Sequence, residues 1–536
     1  MPDFSDRNWA VVLALLWLCL TLPALGMVPL FDYDETIYAQ TAIDMMHLGQ
    51  WIVPTANGMD FFEKPPFTYY LMDGAFAVFG ENAFAARLPS AVFTLFTAYL
   101  LFRFGEHRGD SRMGLIAALI FLSMFEVGLL AHAAILDAVL NFFIVAALLY
   151  YLRWLSNASM RNALICAAMM GFAVAIKGPV GVAVPIMIMV IDRLLVGALW
   201  HTLKRIPWFA ALPLFVVCAS PWYAMVFWLH GTAFLYEFIW VQNIGRALHP
   251  MQGHGGSWHY YFVVFMVSSL PWLLWLPWLF RQLNLRSTAI DLHTIRFAIV
   301  WLISVIVLFS FAQTKLPHYI SCVYPALALA LAVAWRRKTP SLPPYIGYGT
   351  AVLLMPLAVL LLVFPWLYTR LADYIHHPRA LAILEQNITP SVAISIAGAV
   401  LLGILCWLIY TNKKQHIGVF IALGLVLQSA LMWPLASFAG RLIQAPTMHA
   451  ATLIRAMPAN VRVFSYNLNT PSVSFYAGRN YHIILGKEGQ QTWANAASPK
   501  VLFMRMESKK DFPLLHNNQL LLDQGGYLMF QGDQLR

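Results

Sequence analysis

Runs of about twenty predominantly apolar residues recur along most of this chain, the length an α-helix needs to cross the hydrocarbon core of a bilayer. They fall near residues 9–29, 88–102, 113–131, 135–152, 162–176, 179–195, 207–229, 259–280, 297–312, 317–335, 345–367, 392–410 and 417–437. About thirteen spans are therefore expected, and the chain reads as an all-α polytopic membrane protein. Composition agrees: 60% of the residues are apolar and only 11% charged, with a mean hydropathy of +0.67, whereas about a quarter of a soluble globular chain is charged. The first run follows a leader with one arginine, Arg7, and the chain after it is just as apolar, so it is read as an uncleaved span. The five cysteines, Cys19, Cys166, Cys218, Cys322 and Cys406, lie inside apolar runs without zinc or redox spacing and read as packing residues.

The formal net charge of +10 does not point to nucleic acid, because the basic residues form short clusters between apolar runs and no continuous stripe. Taken alternately, one set of loops holds Arg7, Arg103, Arg108, Arg112, Arg153, Arg161, Arg193, Lys204, Arg205, Arg281, Arg286, Arg296, Arg336, Arg337, Lys338, Lys413 and Lys414. The opposite set holds only Lys64, Arg87, Lys177, Arg246, Lys315, Arg370 and Arg379. The positive-inside rule then places the N-terminus in the cytoplasm and the C-terminus outside. Residues 1–437 are expected to form the membrane domain, with two long outer loops near 30–87 and 230–258. Residues 438–536, of ordinary composition and with alternating stretches, are expected to form a small outer α/β domain. The inner loops are short and poor in residues suited to catalysis, so the chemistry is expected outside.

The polar residues that need explaining sit at that outer face. Asp32, Asp34 and Glu35 follow the first span directly, ahead of a stretch from Thr36 to Leu48 spaced for an interfacial helix. Their plainer reading is a helix start, with Asp34 as cap and Glu35 in the first turn. Glu63 and Lys64 precede Pro65 and Pro66 among aromatics, a stiffened charged pair suited to a lipid phosphate, or else a snorkelling lysine. Asp137, Lys177, Lys315 and Tyr319 lie at the outer ends of spans, where charge is expensive and marks a site or an intrabundle pair. The second long loop offers Arg246 for a bidentate phosphate contact and His249, His254 and His259 as possible ligands, without helical metal spacing. Its glycines around Gly253 to Gly256 suggest a segment that orders over substrate.

At these residues the chain resembles the GT-C glycosyltransferases of the protein mannosyltransferase superfamily, most closely the bacterial transferases that place 4-amino-4-deoxy-L-arabinose on lipid A. The resembling positions run in order: Asp34-Glu-Thr-Ile-Tyr-Ala39, Gly49-Gln-Trp-Ile-Val-Pro54, Asn57-Gly58, Phe62-Glu-Lys-Pro-Pro66, Ala86-Arg-Leu-Pro-Ser90, Leu136-Asp137, Lys177-Gly178, Trp258 through Trp272, Lys315-Leu-Pro-His-Tyr319 and Tyr324-Pro-Ala-Leu-Ala328. The resemblance implies thirteen spans, a periplasmic C-terminal domain and residence in the bacterial inner membrane. It implies an undecaprenyl-phosphate-linked sugar as donor and lipid A as acceptor, among membrane lipids and with no nucleic acid. Asp34 matches the family's acidic catalytic position and Glu35 stands beside it as a second catalytic candidate. Lys64, Arg246 and Tyr319 match positions that hold the donor phosphate, with Lys315 placed beside them and Asp137 and Lys177 as further polar members. Glu63 matches a position associated with a divalent metal, zinc, magnesium or manganese. Where these transferases carry Glu-His ahead of the loop arginine, this chain has Gln242-Asn243; either His249 takes the missing ligand's place or the site holds no metal. Ile37 stands where the family often has arginine, and nothing is carried over from the tail.

The expected reaction is inverting transfer, with a polyprenyl phosphate leaving group stabilised electrostatically and Asp34 on the opposite face of the sugar. Two other readings stand beside it. One keeps the enzyme and changes the acceptor to a protein or another glycan. The other is a lipid or sugar transporter, which calls for repeated broken helices and midplane charges, and no internal repeat is evident.

Overall fold

A computed structural model describes residues 6–249, 255–283, 289–337, 343–386, 388–411, 417–515 and 518–532. The chain is a multi-pass membrane protein. Its first half comprises helices α1 (Asp6–Leu25), α2 (Asp34–Leu48), α3 (Phe67–Phe79), α4 (Ala83–His107), α5 (Ser111–Leu122), α6 (Phe125–Ala131), α7 (Asp137–Asn157), α8 (Met160–Lys177), α9 (Val180–Leu195), α10 (Leu199–Arg205), α11 (Trp208–Ala219) and α12 (Pro221–Leu235). A two-stranded hairpin, β1 (Thr55–Ala56) and β2 (Met59–Asp60), sits between α2 and α3. A π-helical stretch, Tyr236–Gly245, extends α12 into α13 (Arg246–Leu248). Then follow α14 (Tyr260–Ser268), α15 (Leu276–Phe280), α16 (Ile290–Phe311), α17 (Val323–Arg337), α18 (Pro344–Leu371), α19 (Pro378–Leu384), α20 (Val392–Tyr410), α21 (Ile417–Ala430) and α22 (Ala436–Ala456).

Nine of the described helices are long and apolar enough to cross a membrane, or up to twelve if each of three bent pairs counts as one span. The bends lie between α5 and α6 (74°), α10 and α11 (80°), and α14 and the segment ending in α15 (102°). Apolar runs in sequence do not report such breaks, which is why the expected 113–131 and 259–280 appear as pairs of shorter helices. The expected span 207–229 is divided between α11 and α12 at Ser220, and α9, with 16 residues, is shorter than a full crossing. Most of the expected loop at 230–258 is helical, continuing to Leu248.

Packing explains the centre of the bundle. The α17 sequence Ala326-Leu-Ala-Leu-Ala-Leu-Ala is apolar all round, and every residue from Val323 to Ala334 is buried, as befits a helix surrounded by others. Beside it α4 and α5 cross so closely that a Cβ on Gly105 would lie 2.4 Å from the Gly114 backbone.

α21 passes through a π-helical turn, Leu431–Leu435, into the amphipathic α22 and so into the C-terminal sheet. That sheet contains β3 (Arg462–Tyr466), β4 (His482–Ile484), β5 (Lys500–Arg505), β6 (Gln519–Gln524) and β7 (Tyr527–Gln531) in the order β4-β3-β5-β7-β6. β3 runs parallel to β4 and β5, while β7 is antiparallel to β5 and β6. Strand alternation sends Val463, Val501, Phe503 and Met529 against α22 and α23 (Pro471–Ala477), and Phe464, Tyr466, Leu502 and Phe530 against Trp493 of α24 (Gly486–Asn495). Phe475 of α23 turns the other way, into a core with Leu30, Ala39, Met72 and Phe76 of the membrane domain. The sheet is thereby seated on the bundle end where α2, α3 and the start of α4 meet.

Candidate active site at the end of the bundle

The turn after α1 brings three acids to this end. Asp34 and Glu35 occupy the first turn of α2, where the helix N-terminus favours negative charge. Their side chains then diverge. Glu35 is buried in a two-pronged ion pair with Arg87, Nε to Oε1 at 2.8 Å and Nη2 to Oε2 at 2.7 Å. Its oxygens also accept the Phe31 and Ala134 amides at 2.9 and 2.7 Å, and Arg87 further donates to the carbonyls of Leu25, Val28 and Pro29. With four donors on its two oxygens Glu35 is a structural anchor, contrary to the catalytic place expected for it. The half-buried Asp34 carboxylate has no hydrogen-bond partner among the described residues.

Opposite the acids, five segments converge. Lys177, the last residue of α8, donates to Asp137, the first of α7, at 2.7 Å, and its ammonium lies 4.8 Å from the ring centre of Tyr319. His318 Nε2 lies 3.7 Å from the other Asp137 oxygen. Arg246 Nη2 donates to Glu63 at 3.0 Å and its Nε to Gln242 at 3.2 Å, with the Tyr319 hydroxyl also on its guanidinium. Gly178 permits this approach: it takes a positive φ of 77°, and a Cβ there would stand 2.9 Å from the Phe238 ring of the π-helical stretch. π-Helical turns of this kind recur at functional sites because they re-aim side chains.

Between the two ion pairs lies Lys64, only 8% exposed. Its ammonium donates to the Glu63 carbonyl at 3.1 Å, and no carboxylate lies within ion-pair distance among the described residues. An ammonium has three protons to give, so this cation is buried with most of its hydrogen bonds unmade. Burial, seconded by the charge of Arg246, pushes its pKa down to about 7. A buried cation without a counter-ion, next to a guanidinium and a phenol, is a site prepared for an anion.

Asp34, Lys64, Arg246 and Tyr319, with Asp137 and Lys177, therefore lie at one end of the bundle, and Lys315 stands apart. The Lys315 Nζ donates to the carbonyls of Ser310 and Ala312 at 2.8 and 2.7 Å, capping the C-terminus of α16. Its expected place at the donor phosphate is thus taken by a structural role. The exposed His249 and the Glu63 carboxylate are not gathered into a ligand group: among the described residues no three of His, Cys, Asp and Glu come together as a metal site, and Glu63 is held by Arg246. Among the described residues, then, no ligand group for the expected metal is assembled. His259 bonds Ser257 at 3.0 Å on the surface, and His254 and Gly253 lie outside the described residues. Gln242 and Asn243 are used within the π-helical stretch, Gln242 bridging Glu237 to Arg246 and Asn243 donating to the Phe238 carbonyl.

Two further members were given no role by sequence reasoning. Tyr38 sits one helical turn after Asp34, and its hydroxyl is held well above the usual phenol range by burial and then by the charges of Asp34, Tyr69, Glu63 and Asp137. The i, i+4 spacing from Asp34 was the available signal. His318, beside Tyr319, is pushed below the usual imidazole value by burial despite Asp137, and it also feels the charge of Asp34.

Comparison with known proteins places the chain as a whole among similar sequences and folds. Residues 63–228 match the family model described as dolichyl-phosphate-mannose-protein mannosyltransferase. An undecaprenyl phosphate-α-4-amino-4-deoxy-L-arabinose arabinosyl transferase of Shewanella sediminis is 32% identical over 342 residues, covering 62% of this chain and 60% of the relative. That of Serratia proteamaculans is 30% identical over 331 residues, covering 61% and 59%. The matched region thus spans about three fifths of the length of these curated relatives. The crystal structure of ArnT from Cupriavidus metallidurans bound to undecaprenyl phosphate superposes with a TM-score of 0.81 at 20% identity, covering 99% of this chain and 100% of that one. The oligosaccharyltransferase of Archaeoglobus fulgidus gives a TM-score of 0.53 at 12% identity, covering 99% and 75%. These structural likenesses are likenesses of fold, and the chain shares the fold of the Cupriavidus metallidurans protein over nearly its whole length.

Proposed function

We propose that this relative of the dolichyl-phosphate-mannose-protein mannosyltransferases moves a sugar, 4-amino-4-deoxy-L-arabinose, from undecaprenyl phosphate to lipid A at the outer leaflet of the bacterial inner membrane. The observation that carries the reading is Lys64, a buried ammonium near Arg246 and Lys177 with no carboxylate in ion-pair distance among the described residues. The curated relatives' names supply the sugar and the lipid carrier. The excess of basic residues in the opposite loops supports a periplasmic site and C-terminal domain.

In this reading the acceptor oxygen attacks the anomeric carbon while the bond from that carbon to the phosphate oxygen breaks. The electron pair leaves with undecaprenyl phosphate and the anomeric configuration inverts. Lys64, Arg246 and Tyr319 meet the charge that gathers on the departing phosphate, in a site where fixed donors replace water. Lys177 supports them by stacking on Tyr319 while held by Asp137. Asp34, without a hydrogen-bond partner among the described residues, takes the proton of a hydroxyl acceptor; with an anionic phosphate acceptor no proton moves and Asp34 only orients it. Glu35 and Arg87 hold the turn from which Asp34 projects. Glu63 serves Arg246, and no step is routed through a metal.

The test is transfer in vesicles supplied with the lipid-linked sugar. Asp34→Asn and Lys64→Ala should each lower the rate by about 100-fold or more, with thermal unfolding unchanged. Transfer at the wild-type rate by both variants would refute the assignment.

A further inference from the structure

The acidic turn is held from two sides, and one of them is the C-terminal domain. On the membrane side Arg87 grips Glu35 and the carbonyls before it. On the other side stands α23. The Ser472 amide donates to Asp32 Oδ1 at 2.9 Å and the Ser472 hydroxyl donates to Asp32 Oδ2. The Tyr476 hydroxyl accepts the Leu30 amide at 2.8 Å. Just before α23, Asn469, itself fixed by Tyr481 at 2.9 Å, reaches the Tyr33 hydroxyl at 3.4 Å. Ser474 donates to Asn57 in the turn of the β1–β2 hairpin at 2.9 Å. Ser472 and Ser474 are fully buried, and Phe475 fills the core behind α2. Asp34 therefore lies between two fixed points, Asp32 gripped by α23 and Glu35 gripped by Arg87. Its own carboxylate makes none of these bonds.

We propose that Ser472 and Tyr476 are positioning residues for the transfer reaction, so that the C-terminal domain acts as part of the active site by setting where Asp34 stands against the phosphate cluster. The inference rests on the reading above. It follows from the geometry because, among the described residues, α23 makes no hydrogen bond or ion pair with Lys64, Arg246 or Tyr319, yet contributes hydrogen bonds to Leu30 and Asp32. A displacement of about 1 Å at a reacting group is enough to cost about 100-fold in rate. Loosening α23 should therefore act on the chemical step and leave the donor phosphate bound as before.

The experiment uses the full-length protein in proteoliposomes with lipid-linked sugar and measures kcat and KM for the donor beside thermal unfolding. Ser472→Ala should lower kcat by about 10-fold or more at a donor KM within twofold and an unchanged unfolding temperature. Ser472→Thr, which keeps the hydroxyl, should recover most of the rate. Tyr476→Phe, which removes only the oxygen that accepts from Leu30, should lower kcat in the same selective way. An unchanged kcat in Ser472→Ala and Tyr476→Phe would overturn the proposal. So would a loss that falls in step with stability and is not restored by threonine, since that is a purely structural effect. If the wild-type protein transfers nothing from the lipid-linked donor, the reading beneath fails; if it transfers and both variants match it, only the positioning role fails.

Discussion

An ammonium held in a protein interior gives up hydration that only a counter-charge restores, and among the described residues no carboxylate pairs with Lys64, which leaves that place to the proposed donor phosphate. With its pKa pushed down to about 7 in the open site by burial and by Arg246, the lysine is charged below that pH and neutral above it. The donor is a phosphodiester and stays singly charged throughout. Binding above pH 7 must therefore take up a proton, so donor affinity is full below about pH 7 and falls as the pH rises. Donor KM should climb by at most about tenfold per pH unit above 7, and Lys64→Arg, whose guanidinium does not titrate, should flatten the profile between about pH 6 and 9. A wild-type KM that is level over this range would show that Lys64 is charged without the donor. At this scale the gathering of Asp34, Lys64, Arg246 and Tyr319 at one end was legible, because charge at a membrane face is expensive and draws attention to itself. Glu35 was misread because its partner Arg87 lies 52 residues away in the sequence, and neither spacing nor composition reports that pairing.

Elements decide which of those residues reach the site. α2 begins with its acids pointing two ways, α8 ends at Gly178 so that Lys177 meets Asp137, and the π-helical stretch turns Arg246 toward Glu63. α16 ends under Lys315, whose ammonium closes the carbonyls of Ser310 and Ala312. Lys315→Met should therefore lower stability by about 1–2 kcal/mol and leave donor KM within twofold of the wild type. A large rise in KM at unchanged stability would return Lys315 to the phosphate. Helix identity was readable from the apolar runs, whereas the bends were not: the break between α5 and α6 spans two residues, Ser123 and Met124, which carry no proline or glycine. The helical continuation to Leu248 was likewise hidden, since the polar residues from Gln242 to Arg246 read as loop when they line the site.

The whole molecule places the proposed lipid-phosphate site at the end of a helical bundle, beside a sheet domain whose α23 is bonded to the acidic turn. Hydropathy made the bundle legible, and the alternation of Val463, Phe464, Ser465 and Tyr466 made the sheet legible, because both patterns follow from what each face touches. The seating of the sheet on the site was not legible, since Ser472 and Tyr476 are unremarkable in sequence and gain meaning only against Asp32 and Leu30. The central claim joins one donor to one acceptor across this site. Mass spectrometry of lipid A from cells that carry the intact gene, lack it, or carry the Lys64→Ala form tests it most directly. Lipid A bearing an added aminoarabinose is expected in the first case alone. Lipid A of the same mass in all three, with the protein present in the membrane, would contradict it.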